Sequence, residues 1–347
     1  MPKKLYLVDG SNQAFRAFFA IQNDMRSPDG FPTRALFGFT SMLRKMLEQN
    51  QPDYMCILFD KGKSFRNEIY PDYKGQRPDM PEDLREQWPH FIPLCKEWGV
   101  HALAMDGFEA DDIIASYARE AQRQGWHVTI VSSDKDLMQL VDDRVSLFDT
   151  MKNKRSGPEE VFEKFGVEPE RVVDVQALAG DSTDNIPGVP GIGIKTAALL
   201  IQEYGDLETL LERAGEIKQN KRRENLIEFA EQARVSMKLV TLDKDTPVPQ
   251  PLDSLIAHKP TAEQLGGFLR EQNFKTLTTR VVERLTDGSV DDLPPVEEAP
   301  AQSTAQPVGS AATAKTEKLP PISECSFATI SEMAALEAII ADAYDSG

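Results

Sequence analysis

Residues 5–9 read LYLVD, four apolar positions closed by an aspartate. The pattern recurs at 54–60, YMCILFD, and again at 127–134, where HVTIV leads through two serines to Asp134. Runs this short and this apolar suit strands covered on both sides, and helical periodicities occupy the gaps, over roughly 35–49, 83–98 and 109–124. Alternation of short strands with helices predicts an α/β fold with a mostly parallel central sheet and helices on both faces. Ligands gather at the carboxyl ends of such strands, so Asp9, Asp60 and Asp134 are expected on one functional edge.

A chain of 347 residues with 40% hydrophobic content can bury a sizeable core, as two domains or one large one. No run of 18 apolar residues occurs, and the start MPKKLYLVDG is too short in apolar residues for a signal peptide. A cytoplasmic protein without membrane contact is expected. Cys56, Cys95 and Cys325 are odd in number and lack CxxC spacing, which points away from a disulfide framework or a zinc site. A net charge of −17 argues at first against a nucleic-acid partner. Residues 285–347 carry −9 of it, however, leaving −8 on residues 1–284.

Beyond about residue 158 the pattern is helical, with helices expected near 170–180, 206–213, 221–239 and 261–272. The stretch 287–321 is rich in Pro, Ala, Ser and acids, the composition of a disordered linker. Residues 322–347 read as one strand and one amphipathic helix, too little for a domain, and suggest the opening of something that continued.

GFEADDIIAS, residues 107–116, crowds Glu109, Asp111 and Asp112 at a helix start, where capping and the macrodipole explain two acids but not three. Together with Asp9, Asp60, Asp134, Asp136, Asp181 and Asp184 they make nine carboxylates at edge positions. So many like charges converge only around cations. An all-oxygen donor set without His or Cys selects Mg²⁺ or Mn²⁺, and two ions about 4 Å apart could activate a water and stabilise a leaving oxygen. Taken singly, Asp9-Gly10 and Asp134-Lys135-Asp136 read more readily as turns and caps, and EADD stands about even. Their joint placement on one edge favours the metal reading. Discounting the nine leaves residues 1–284 near +1.

NIPGVPGIGIKTAALL, residues 185–200, reads as a hairpin between helices, with Gly188, Gly191 and Gly193 shaping the turn and free amides beside Lys195 and Thr196 offering an anion site. This is the helix-hairpin-helix pattern that grips a phosphate backbone without reading sequence. After Asp60, Lys61, Lys63, Arg66, Lys74 and Arg77 interleave with Tyr70 and Tyr73. Cations beside a metal site can polarise a phosphate and an aromatic ring can stack on a base, although a wet loop has the same composition. Position after Asp60 favours function. Lys218, Lys221, Arg222 and Arg223 read as a solvated helix face.

LVDGSNQAFRAFFA, FDKGKSFRNEIYPDYKGQRP, EADD, SSDKD and GDSTDNIPGVPGIGIKTA resemble, in order and spacing, the 5′ nuclease domain at the N-terminus of bacterial DNA polymerase I, within the flap endonuclease superfamily. The resemblance spans roughly residues 4–285. It implies a PIN-like 5′-nuclease core over 1–170 with a basic helical gateway at about 61–100, then a helix-hairpin-helix subdomain over 171–286. It also implies a two-metal site on the nine acids, Lys74 and Arg77 on the scissile phosphate with Arg66 in support, and Tyr73 and the hairpin on DNA. The hairpin would take K⁺. Implied substrates are 5′ flaps, nicked duplexes and RNA–DNA primer junctions, cut during replication and repair by a monomer. Residues 322–347 resemble the start of a proofreading-like domain, so polymerase domains are expected in a longer parent chain and no polymerase activity in this one. Ser133, where the family often has Gly, and Arg34, where it often has a small or neutral residue, depart from the pattern without removing a ligand. A PIN-like ribonuclease and a non-catalytic DNA clamp are the rivals. A DxD phosphatase is disfavoured because Gly10 and Ser11 follow Asp9.

Overall fold

Successive side chains of a strand point to opposite faces, and here the alternation sorts the apolar residues into two cores. The computed structural model describes residues 2–258 together with Leu265, Gly266, Leu269 and Phe274, all within one compact unit. The expected linker at 287–321, the expected start of a domain at 322–347 and most of the helix expected at 261–272 lie outside the described residues. The chain begins with β1 (Lys4–Asp9), α1 (Gly10–Ala20), α2 (Arg34–Asn50) and β2 (Tyr54–Phe59). There follow α3 (Arg66–Ile69), α4 (Glu82–Gln87), α5 (Phe91–Glu97), β3 (His101–Ala104), α6 (Ala110–Arg123) and β4 (His127–Val131). Next come β5 (Val145–Asp149), β6 (Lys154–Ser156), α7 (Pro158–Phe165) and α8 (Val172–Ala179). The remaining helices are α9 (Ile194–Tyr204), α10 (Leu207–Glu212), α11 (Asn220–Glu228) and α12 (Ala230–Val240).

The strands form one sheet in the order β3-β2-β1-β4-β5-β6, parallel except for the β5–β6 pair. Leu7 of β1 lies opposite Cys56 on one side and Ile130 on the other, so β1 is central. Leu5, Leu7, Cys56, Leu58, Val128 and Ile130 face a core shared with Ile113, Ile114 and Tyr117 of α6. Tyr6, Val8, Met55, Ile57 and Phe59 face the other, with Phe18 of α1, Leu36, Phe39 and Leu43 of α2, and Phe91 and Leu94 of α5. Helices therefore cover both faces, as the apolar runs predict. The helical half shares the first core: Val175 and Leu178 of α8, Leu200 of α9, Leu226 of α11 and Leu239 of α12 belong to it. Each such side chain, fully buried, contributes roughly 1.5–3 kcal/mol.

Two expected helices are broken. The one at 83–98 divides into α4 and α5 around the tighter turn Trp88–His90, where Pro89 cannot donate an amide bond. The one at 221–239 divides at Phe229, whose backbone (φ −103, ψ 20) leaves helical geometry between α11 and α12. No described helix is long and apolar enough to cross a membrane. The strand order turns back between β1 and β4, and beside such a reversal the strand ends open into a crevice. Asp9 ends β1 at that point.

Candidate active site

Asp9 closes β1 and opens α1: its Oδ1 accepts from the Asn12 amide at 2.9 Å, while Oδ2 accepts from the Ser132 hydroxyl at 2.8 Å. The same hydroxyl oxygen accepts from the Asp134 amide at 3.0 Å, which fixes the end of β4 against the end of β1. Asp60, just past β2, accepts from the Ala110 amide at 2.9 Å and so seats the start of α6 on the edge; its own amide donates to Ser11 Oγ at 2.9 Å. Asp111 accepts no hydrogen bond among the described residues, and the carboxylates acting on it are Asp9, Asp134 and Asp60. Four separate segments thus bring their acids together.

Burial and neighbouring negative charge act together on Asp9 and Asp111. Burial pushes Asp9 up to about 7, the charges of Asp60 and Asp134 add to it, and the Asn12 amide and Ser132 hydroxyl work against it. Burial also holds Asp111 well above the ordinary carboxylate range, with Asp9, Asp134 and Asp60 adding and Lys74 opposing. Asp136 rises to about 7 through burial and Asp134, although it accepts from Gln176 Nε2 at 2.6 Å. Such a set carries more negative charge than the protein's own cations balance. Its all-oxygen chemistry fits a hard divalent ion. Among the described residues no three His, Cys, Asp or Glu side chains form a ready cage for a single ion. Mg²⁺ asks for no such cage, because it keeps several waters and takes one or two carboxylates.

Facing these acids is the loop that carries Lys74 and Arg77. Lys74 Nζ stands 2.9 Å from Glu109 Oε1 and 3.7 Å from Asp184 Oδ2, and Arg77 pairs with Asp184 at 2.5 Å. The Lys74 backbone is left-handed (φ 56), and its amide donates to the Asp184 carbonyl at 3.0 Å, so the loop is docked on the segment that precedes the hairpin. Burial alone would lower the Lys74 pKa, but Glu109, Tyr73 and Asp184 outweigh it and raise it. Asp181 is engaged by Lys135 and by the Thr183 amide at 2.7 Å; these overcome burial and depress its pKa.

Four of the expected site residues are turned to the interior instead. Asp112 is 0% exposed, and both its oxygens pair with Arg66 at 2.7 Å while also accepting from the Glu109 and Asp243 amides. Arg66 is 1% exposed and donates as well to the Leu239 and Thr241 carbonyls, so it is an internal strut whose partner is Asp112. Tyr73 is 5% exposed within the core, its hydroxyl 3.2 Å from Glu109, which leaves no ring face for a base. Gly188 is buried, its amide donating to Ser236 Oγ and its carbonyl accepting from Gln232, so neither is free for DNA. Ser11, Ser132 and Gln176 join the acids without belonging to any motif, and the two serines before Asp134 are the sequence sign of one of them.

The hairpin keeps an open end. Gly191, Gly193 and Lys195 are exposed, and α9 begins immediately after Gly193 with Thr196 half-buried in its first turn. Asn225 of α11 donates to the Pro190 carbonyl at 2.7 Å and braces the turn from beneath. Of the two departures, Ser133 donates to Asn12 Oδ1 at 3.2 Å, and the Arg34 guanidinium stacks on the Phe18 ring with its centre 3.7 Å from the centroid.

Comparison with known proteins bears on the family and the fold. Residues 4–166 match the family model of the 5′-3′ exonuclease N-terminal resolvase-like domain, and residues 167–263 match that of the 5′-3′ exonuclease C-terminal SAM fold. DNA polymerase I of Rhizobium leguminosarum is 48% identical over 287 residues, covering 80% of this chain and 28% of that protein. DNA polymerase I of Bacillus caldotenax is 39% identical over 286 residues, covering 81% and 32%. The chain therefore spans about a third of the length of the curated relatives it matches. A crystal structure of the bacteriophage T5 D15 flap endonuclease, in a pseudo-enzyme-product complex with DNA and metal ions, superposes with a TM-score of 0.60 at 26% identity, covering 81% of this chain and 100% of that one. Matched along residues 4–263 by both of the family's domain models, the chain belongs to the 5′-3′ exonuclease family.

Proposed function

We propose that this chain hydrolyses DNA phosphodiesters near 5′ junctions of single and double strand, cutting flaps, nicked duplexes and RNA–DNA primer junctions with two Mg²⁺ or Mn²⁺ ions. The observation that carries the reading is the convergence of Asp9, Asp60, Asp111 and Asp134, which repel one another at a partly open edge opposite Lys74 and Arg77. Bound divalent ions would supply Lewis acidity at the attacked phosphate and at the leaving oxygen. Asp9, Asp60, Glu109 and Asp111 would hold one part of that charge, and Asp134, Asp136, Asp181 and Asp184 the other. Lys74 and Arg77 give the scissile phosphate the cations that Glu109 and Asp184 now occupy, offsetting charge as it develops. Arg66 and Asp112 keep α6 and the gateway in register.

In this reading residues 1–170 cut and residues 171–286 grip the duplex, through Gly191, Gly193, Lys195 and Thr196, with K⁺ against the backbone. The T5 neighbour's complex with DNA and metal ions supports it. Polymerase domains like those of the relatives are the proposed partners in a longer chain, working in primer removal and repair. The test is incubation with 5′-labelled flap, nicked and single-stranded DNA and with RNA, in Mg²⁺, Mn²⁺ or chelator. Metal-dependent cutting at the flap junction is expected. Preference for unstructured RNA would favour a PIN-like ribonuclease, and flap binding without cutting in any metal would leave only a clamp.

A further inference from the structure

β5 runs parallel to β4, so Asp149 ends it at the same edge as Asp134, and the chain turns back as β6 with Lys154 opposite Asp149. Lys152 lies in that turn, and Lys164 stands near the end of α7, which packs on β6. With Ser132, Ser133 and Asp134 these three exposed lysines line one cleft of about 400 Å³ beside the acids. Four acids line it too, but most are engaged: Asp149 pairs with Arg16 at 2.7 Å, Glu160 accepts from the Gly157 amide at 2.7 Å, and Asp134 belongs to the proposed ion site. Glu163 alone is left to face the lysines. Lys152 comes only within 4.0 Å of Asp149, and Lys154 and Lys164 have no ion pair among the described residues. Burial and Lys135 hold the Lys164 ammonium below its ordinary range, with Lys152 adding and Asp134 and Asp136 opposing. An anion among these cations would relieve their repulsion.

The other side of α7 meets α9, the helix that opens at the hairpin: Gln202 donates to the Gly166 carbonyl, and a Cβ on Gly166 would come within 3.0 Å of Ala198. The helix that carries Lys164 therefore joins the hairpin's helix to the acidic edge. We propose that Lys152, Lys154 and Lys164 form a phosphate subsite for the duplex part of the cut strand, holding backbone phosphates between the scissile bond and the hairpin. Lysine suits that task, because its ammonium is a point charge that takes a backbone phosphate without reading sequence.

This inference rests on the cutting of DNA proposed above. It is tested by binding of nicked duplex, read by fluorescence anisotropy in chelator across a salt series. Wild type is compared with a triple variant, Lys152→Gln, Lys154→Gln and Lys164→Gln, and with a control triple, Lys4→Gln, Lys45→Gln and Lys96→Gln, whose exposed lysines lie toward the starts of the strands, away from the acids. The first triple should lose about 10-fold or more in affinity, and its slope of log affinity against log salt should flatten by about 1 for each lysine that meets a phosphate. The control should keep both, and arginine at the three positions should restore both. Methylphosphonate placed singly along the cut strand should weaken wild type at positions on the duplex side and weaken the first triple no further there. An unchanged slope in the first triple, an equal loss in the control, or a methylphosphonate effect confined to the single-stranded side would overturn the inference. Wild type that binds no nicked duplex, or cuts no DNA in Mg²⁺, would instead overturn the reading on which it rests.

Discussion

Asp111 and Asp112 are neighbours in sequence with opposite fates. Successive residues of a helix point about 100° apart, so one carboxylate turns to the acidic edge and the other to Arg66 in the interior. Substitution should separate them cleanly. Asp111→Asn removes a charge the fold resists, so turnover should fall by orders of magnitude while metal-free stability in urea is unchanged or higher. Asp112→Ala strands a buried guanidinium and should cost about 3–5 kcal/mol of stability in the same measurement. Equal losses of stability would contradict the division of roles. That Asp9, Asp60 and Asp134 would meet beside the start of α6 was legible in the sequence, because strand ends and a helix start converge in a parallel sheet. Which of two adjacent aspartates faces that edge was not, since the answer depends on where a distant arginine is buried.

Legibility also varied from one element to the next. Strands β1, β2 and β4 were plain because burial on both faces demands an unbroken apolar run. By contrast β3 is only HALA with every residue half-buried, and β6 is KRS with two of three exposed, so neither leaves an apolar signature. Helix α1 was missed because it opens on Gly10-Ser11-Asn12, which reads as a turn until Asp9 is seen to cap it. In the hairpin the glycines divide by function. At Gly188 (φ 59) a Cβ would come within 2.4 Å of the Gly180 nitrogen, whereas at Gly193 it would meet open space. Gly188→Ala should lose about 1–3 kcal/mol from backbone conformation alone, with the contact adding more, in thermal or urea unfolding. Gly193→Ala should keep its stability and bind nicked duplex more weakly, read by fluorescence anisotropy. The reverse pattern would contradict the assignment of Gly188 to packing and Gly193 to the DNA side.

Across the molecule, the acidic edge ties stability to pH. Asp9 and Asp136 titrate near 7 in the folded chain, above the carboxylate value of about 3.9 expected when unfolded. Their protonated forms therefore favour folding, and the contribution is complete below the unfolded value and lost as pH rises through about 7. Metal-free protein should melt lower at about pH 8 than at about pH 5.5 through these groups, and Mg²⁺ should raise the melting temperature more at the higher pH. A pH-independent response to Mg²⁺ would remove the acids from the binding site. The central claim is that carboxylates from four distant segments tolerate each other by sharing divalent ions. Calorimetric Mg²⁺ titration at about pH 7, in two buffers of different ionisation enthalpy, tests it directly. The account predicts saturable uptake with net proton release, which shrinks in Asp9→Asn. Absence of uptake, or uptake without proton release, would contradict it.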